Sequence, residues 1–207
     1  MQSLVDGLIR FRLNNFEEHK DLFSQLKQFQ EPHTLFITCS DSRVVPELIT
    51  NTLPGELFVV RNIANLVPPY GETQEHVAIT SAIEYALKVL KVKNIVVCGH
   101  SNCGGCASIH VSDAVTHEIP HTKKWLELTQ NVKQRVLEEL RNNDENVKEW
   151  LTELINIIEQ IKHLLTYPWI EEKYHKKEID IFGWYYVIET GEVFIYNNEN
   201  GEFKLAN

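Results

Sequence analysis

Three cysteines and a histidine fall within ten residues in VCGHSNCGGC (97–106), and the only other cysteine, Cys39, stands far upstream in FITCSDSRVVPEL (36–48). Thiolate and imidazole are zinc's preferred ligands. The His100-x-x-Cys103 spacing can offer both side chains to one ion. With Cys39 they make a Cys2His set, and three protein ligands with a fourth position open is the arrangement of catalytic rather than structural zinc. Three other readings stay open at this point. Cys103-Gly-Gly-Cys106 has the spacing of a redox pair, a closed four-ligand site could add Cys98 or Cys106, and all four thiols could simply be buried. Cys98 lies inside an apolar run and Cys106 in a turn entering a helix, so each taken alone reads as packing.

Asp41 and Arg43 add chemistry beside the first cysteine. An aspartate two residues after a zinc-binding cysteine is within reach of the open position, and a neighbouring guanidinium keeps it ionised by lowering its pKa. An ionised carboxylate accepts a hydrogen bond from zinc-bound hydroxide and turns the remaining lone pair toward substrate.

These residues need a scaffold. The first thirty residues place Leu4, Leu8, Phe11, Phe16, Leu22, Phe23, Leu26 and Phe29 at helical spacing, and Pro32 ends that region. HTLFITC (33–39), GELFVVRN (55–62) and NIVVC (94–98) read as strands. Thr73 to Leu90 reads as an amphipathic helix capped by Thr73, and 123–141 and 146–166 as two more. The last of these carries Trp150, Leu151, Leu154, Ile155, Ile158, Ile161 and Leu165 on a wide apolar face. IDIFGWYYVIETGEVFIYN (179–197) reads as a hairpin turning at Thr190-Gly191-Glu192. Alternating strands and helices predict an α/β fold around a mostly parallel sheet, with a helical N-terminal arm and an antiparallel tail. In such sheets sites form beyond the carboxyl ends of the strands, which is where Cys39 and His100 fall.

With 207 residues, no internal repeat and no Gly/Ser linker, the chain predicts one domain, 1–207, whose residues 1–31 form the arm. A net charge of −9 argues against nucleic acid or an anionic membrane as the main partner. No window approaches the ~18 uninterrupted apolar residues of a membrane span, and the N-terminus lacks the pattern of a secretory signal. Three clustered cysteines and one distant one do not make a disulfide framework. The expectation is a soluble protein of the reducing cytoplasm.

The sequence resembles the β-class carbonic anhydrases of bacterial type. The resemblance rests on Cys39-Ser-Asp41-Ser-Arg43, on Pro54-Gly55-Glu-Leu-Phe58 leading to Arg61-Asn62-Ile-Ala-Asn65, and on Gly99-His100-Ser-x-Cys103-Gly104-Gly105, in family order and spacing. It implies a twisted sheet of four parallel strands and an antiparallel fifth, flanked by helices. It implies a lyase that hydrates carbon dioxide to bicarbonate and a proton with a zinc-bound hydroxide, one Zn2+ per subunit. It also implies a homodimer or dimer of dimers whose arms pack on the partner subunit and whose active site opens at the interface. By motif position, Cys39, His100 and Cys103 are the zinc ligands, Asp41 orients the hydroxide and Arg43 is its ion-pair partner. Gln30, Phe58, Ile63 and Tyr85 match the substrate pocket, and the amide of Gly104 matches the donor to a substrate oxygen. Some members bind bicarbonate away from the metal in a tryptophan–arginine–tyrosine cluster. Arg61 and Tyr186 occupy matching positions here, but the tryptophan position is Phe36, which lacks the indole donor.

Overall fold

Among the described residues, the strands β1 (Thr34–Cys39), β2 (Leu57–Asn62), β3 (Asn94–His100), β4 (Asp180–Tyr186), β5 (Val193–Asn197) and β6 (Glu202–Leu205) form one sheet in the order β2-β1-β3-β4-β5-β6. The computed structural model describes residues 1–71, 75–111, 118–140 and 147–206. Strands β1 to β4 run parallel, and β5 and β6 are antiparallel additions. The central strands β1 and β3 are buried on both faces, and their unbroken apolar runs are the reason they can be. β6 goes beyond the expected fifth strand. Its sequence EFKL is too short and too charged to announce itself, yet it pairs with β5 after a turn at Gly201, whose φ is +74°. The charges of Glu202 and Lys204 suit an edge that must not recruit further strands.

The chain divides into two compact units, Met1–Glu31 and Pro32–Asn207. The first is helical over Gln2–Arg10, continues through a π-helical turn at Phe11–Asn15, and ends in the helix Lys20–Leu26. Within it, Phe11, Phe16 and Phe23 pack ring to ring at 5.2 to 6.4 Å. Leu4, Leu8 and Leu13 stay exposed.

In the second unit, the helix expected over 73–90 appears as Val77–Glu84 followed by a π-helical turn at Tyr85–Val89; the proposed cap Thr73 lies outside the described residues. The segment expected as one helix over 123–141 is two, Pro120–Leu126 and Gln130–Leu140, separated by a 3-10 turn. The Thr129 hydroxyl donates to Leu126 O at 2.6 Å there, a local bond that competes with regular helix. A helix at Pro168–His175 was not expected.

The long helix Lys148–Leu165 packs across the sheet. Ile157 presses so closely on β3 and β4 that a Cβ on Gly99 or Gly183 would lie 2.8 Å from it. Burying each such aliphatic side chain contributes about 1.5–3 kcal/mol. The expected apolar face is only part of what this helix buries. Trp150 is 51% exposed, whereas Glu153, Asn156, Gln160 and His163 are buried. Their polar groups are satisfied within the chain, largely by its backbone. Asn156 Nδ2 donates to Ala64 O at 2.9 Å, Val67 N–H donates to Gln160 Oε1 at 2.8 Å, and His163 Nδ1 donates to Val67 O at 2.7 Å. Tyr167, just past the helix, donates to Pro68 O at 2.8 Å. A polar stripe thus fixes the segment that follows β2.

Candidate metal centre

From β1 the chain crosses to β2 on one side, and from β3 it proceeds to β4 on the other. The connections therefore part between the ends of β1 and β3, and such a switch point opens a crevice. Cys39 is the last residue of β1 and His100 the last of β3. The Thr38 hydroxyl donates to Cys98 O at 2.9 Å and ties the two strand ends together. Asn102 then turns the chain with φ +55°, and Cys103 follows at the start of the short helix Gly104–Ala107.

This brings the three expected ligands together. The Sγ atoms of Cys39 and Cys103 stand 3.9 Å apart, and the ligand atoms of Cys39, His100 and Cys103 all lie within 4.8 Å of one another. Two sulfurs at about 2.3 Å from a tetrahedral zinc would be roughly 3.8 Å apart, so the spacing fits that ion. His100 Nδ1 donates to Ser101 O at 2.9 Å, which leaves the lone pair on Nε2. That Nε2 is buried without a hydrogen-bond partner, the condition of an atom awaiting a metal. In the metal-free chain, their mutual hydrogen bond and burial push the Cys39 thiol up to about 12. The Cys103 thiol rises to about 12 as well, chiefly through its contact with Cys106.

Asp41 faces the same point, its Oδ2 3.9 Å from His100 Nε2. Arg43 donates from its backbone N–H and from Nε to Oδ1, both at 2.9 Å, and from Nη2 to Oδ2 at 2.7 Å. These bonds hold the Asp41 carboxyl well below the usual carboxylate range. Arg43 also donates to Asn102 O at 3.0 Å, joining the two halves of the centre.

Cys98 and Cys106 stay out of the cluster. Both are buried, and Cys106 Sγ accepts from Asn156 Nδ2 at 3.7 Å. All four cysteines are free thiols, and among the described residues the group able to hold a metal is Cys39, His100 and Cys103.

The remaining expected residues are distributed more widely. Gln30 is exposed near the end of the first unit. Phe58 pairs with Leu35, four residues before the Asn62–Cys39 pairing, or about 13 Å along the strand, and its ring stacks on Tyr85 at 6.0 Å. Ile63 is partly exposed just past β2, and its carbonyl accepts from Trp125 Nε1 at 2.9 Å. Gly104 has open space where a Cβ would stand. The close approach belongs to Gly105, where a Cβ would lie 2.9 Å from Ala64 N and Ala64 Cβ. Arg61 donates to Cys39 O at 3.2 Å, Asp41 O at 2.6 Å and Val44 O at 2.8 Å. Tyr186 pairs in register with His100 on the sheet face that holds Phe36.

Sequence reasoning overlooked Ser101, which sets the His100 tautomer, Asn102, and Glu153, which accepts from Cys103 N–H at 2.8 Å. The only available signal for Glu153 was its place three residues before Asn156 and seven before Gln160, a polar stripe along one side of the helix.

A parallel sheet with a Cys2His cluster at its switch point, flanked by an Asp–Arg pair, has the donor set of a catalytic metal centre. The family profile described as carbonic anhydrase matches residues 34–193. A carbonic anhydrase of Helicobacter pylori strain J99 is 42% identical over 205 residues, spanning 96% of this chain and 91% of the relative. The solved structure of the beta-carbonic anhydrase CcaA superposes with a TM-score of 0.95 at 39% identity, covering 100% of this chain and 99% of that one. One of two tetrameric beta-carbonic anhydrases from Sordaria macrospora gives a TM-score of 0.82 at 30% identity, with 98% of both chains covered. The chain belongs to the carbonic anhydrase family, in its beta class, and is a lyase whose family reaction is the hydration of carbon dioxide.

Proposed function

We propose that the chain interconverts carbon dioxide and bicarbonate at the Cys39–His100–Cys103 cluster, with one zinc ion per subunit held by those three side chains. The observation that carries this reading is His100 Nε2, buried and unpartnered, facing two cysteine sulfurs and the Asp41 carboxylate. Bound there, zinc supplies the Lewis acidity that lets water lose a proton near neutral pH. Asp41, ionised and gripped on both oxygens, accepts a hydrogen bond at Oδ2 from the attacking water and directs its free lone pair toward the carbon. Arg43 keeps that carboxylate from turning away. The amide of Gly104 donates to a substrate oxygen, in the open space beside it. Phe58, Ile63 and Tyr85 supply an apolar lining suited to a small uncharged substrate, and Gln30 is the polar pocket residue that the family resemblance implies.

Phe58 and Tyr85 stand a strand's length from their own chain's ligands, which suits a pocket shared between two subunits. The exposed Leu4, Leu8 and Leu13 give the arm, residues 1–31, an apolar face for the partner subunit. The whole chain then acts as one carbonic anhydrase domain in a homodimer or dimer of dimers, the latter supported by the tetrameric Sordaria relative. Free buried thiols support a cytoplasmic location. Among the described residues no helix is long and apolar enough to cross a membrane, and the acidic chain suits neither a membrane surface nor nucleic acid as partner.

Stopped-flow carbon dioxide hydration on the purified protein, before and after chelation, tests the reading. Activity should vanish with the metal and return when zinc is added back. Full activity in a metal-free sample would refute it.

A further inference from the structure

The peptide bond joining Asn102 to Cys103 is held at both ends. On one side Arg43 Nη2 donates to its carbonyl oxygen at 3.0 Å. On the other, its N–H donates to Glu153 Oε1 at 2.8 Å. Glu153 lies in the second turn of the long helix and is 2% exposed. Its second oxygen, Oε2, accepts from the Tyr185 hydroxyl at 2.7 Å. Tyr185 is itself buried on β4, in register with Gly99, one residue before His100. A carboxylate buried among a helix, a strand and a metal-ligand loop is costly unless each oxygen is bonded, and both are.

The orientation of that peptide sets where the Cys103 side chain points. Asn102 has φ +55°, a conformation an asparagine tolerates but does not require. Rotation of the following peptide would change φ at Cys103 and swing its Cβ–Sγ bond away from Cys39. Arg43 restrains the carbonyl from the solvent side, and Glu153 restrains the N–H from the core.

We infer that Glu153, anchored by Tyr185, is a positioning residue for the ligand Cys103, fixing the Asn102–Cys103 peptide so that the thiolate meets the metal. The inference rests on the zinc reading of the cluster. Outer partners of metal ligands typically govern metal affinity by about 10- to 100-fold. Gln at position 153 can keep both bonds, since its amide oxygen accepts from Cys103 N–H and its amide nitrogen can donate to Tyr185. Leu keeps the bulk and loses both.

The test compares wild type, E153Q, E153L and Y185F, with zinc release to a chromophoric chelator and the thiolate-to-metal absorption of the cobalt-substituted protein as readouts. E153L should release zinc about 10- to 100-fold faster with an altered cobalt spectrum, while E153Q stays within a few-fold of wild type. The rise in Tm on adding zinc should shrink in E153L, a change that loss of packing common to both forms would not produce. Should E153L fail to fold, Y185F decides: several-fold faster release supports the inference, and a wild-type rate overturns it. Zinc held equally tightly by wild type and E153L, or E153Q as impaired as E153L, would overturn this inference alone. A wild-type chain that takes up no zinc would overturn the metal reading and this inference with it.

Discussion

Arg43 holds Asp41 through three hydrogen bonds, two to Oδ1 and one to Oδ2, with both residues on the single turn that leaves β1. An arginine fork on a carboxylate fixes direction as well as charge. Asp41 therefore reaches the metal cluster as a fixed acceptor rather than a free surface acid.

The pair bears directly on pH dependence. The folded-state pKa of Asp41 is depressed, first by the Arg43 side chain. Its stabilising contribution is therefore fully present above the unfolded carboxylate value near ~3.9 and is lost only as pH falls through the lower folded value. Asp41 does not titrate near neutrality. In the proposed site two thiolate ligands would neutralise the charge of a zinc dication that three imidazoles would leave intact, so the metal should be a poorer Lewis acid. Hydration measured at saturating buffer should rise above neutrality; a rate flat from about pH 6 to about pH 9 would contradict this.

Metal uptake should release protons. The Cys39 and Cys103 thiols lie at about 12 in the metal-free chain, whereas zinc takes thiolates. Calorimetric titration of zinc at pH 7, in buffers of different ionisation enthalpy, should report close to ~2 protons released per ion. Release near zero would mean that the two thiols are not both ligands.

Arg61 is committed to the loop it follows in space. Its donors meet the carbonyls of Cys39, Asp41 and Val44, and Phe36, at the expected tryptophan position, offers no indole N–H. Crystals soaked in bicarbonate should show no ion bridging Arg61 and Tyr186. An ion there, with Arg61 released from those carbonyls, would show that the cluster works without its tryptophan.

The turn beneath the Cys103 loop should resist added bulk. Ala64 lies in the left-handed region at φ +62° with its Cβ against Gly105. G105A should destabilise the fold by about 1–3 kcal/mol, read by denaturant unfolding. An unchanged midpoint would show that the two turns can separate at little cost.

The Cys39, His100 and Cys103 cluster was legible in the sequence because strand ends, a Cys2His set and an Asp-x-Arg pair are local patterns. The parallel core strands were legible for the same reason, as continuous apolar runs. What escaped was non-local. β6 exists through its ladder with β5 rather than through its own composition. The polar stripe Glu153, Asn156, Gln160 and His163 resembles a solvated helix face until residues 64–70 and 103 are folded against it. Trp150 showed the converse, an apolar residue at a face position that the fold leaves in the open.

In the proposed reaction Asp41 acts on the attacking water and is not itself a metal ligand. The direct measurement is zinc content together with stopped-flow carbon dioxide hydration for wild type and D41A, with R43A alongside. D41A should keep one zinc per subunit and lose on the order of 100-fold or more in rate, in the range of positioned acid–base groups. Full zinc content with an undiminished rate would contradict the account.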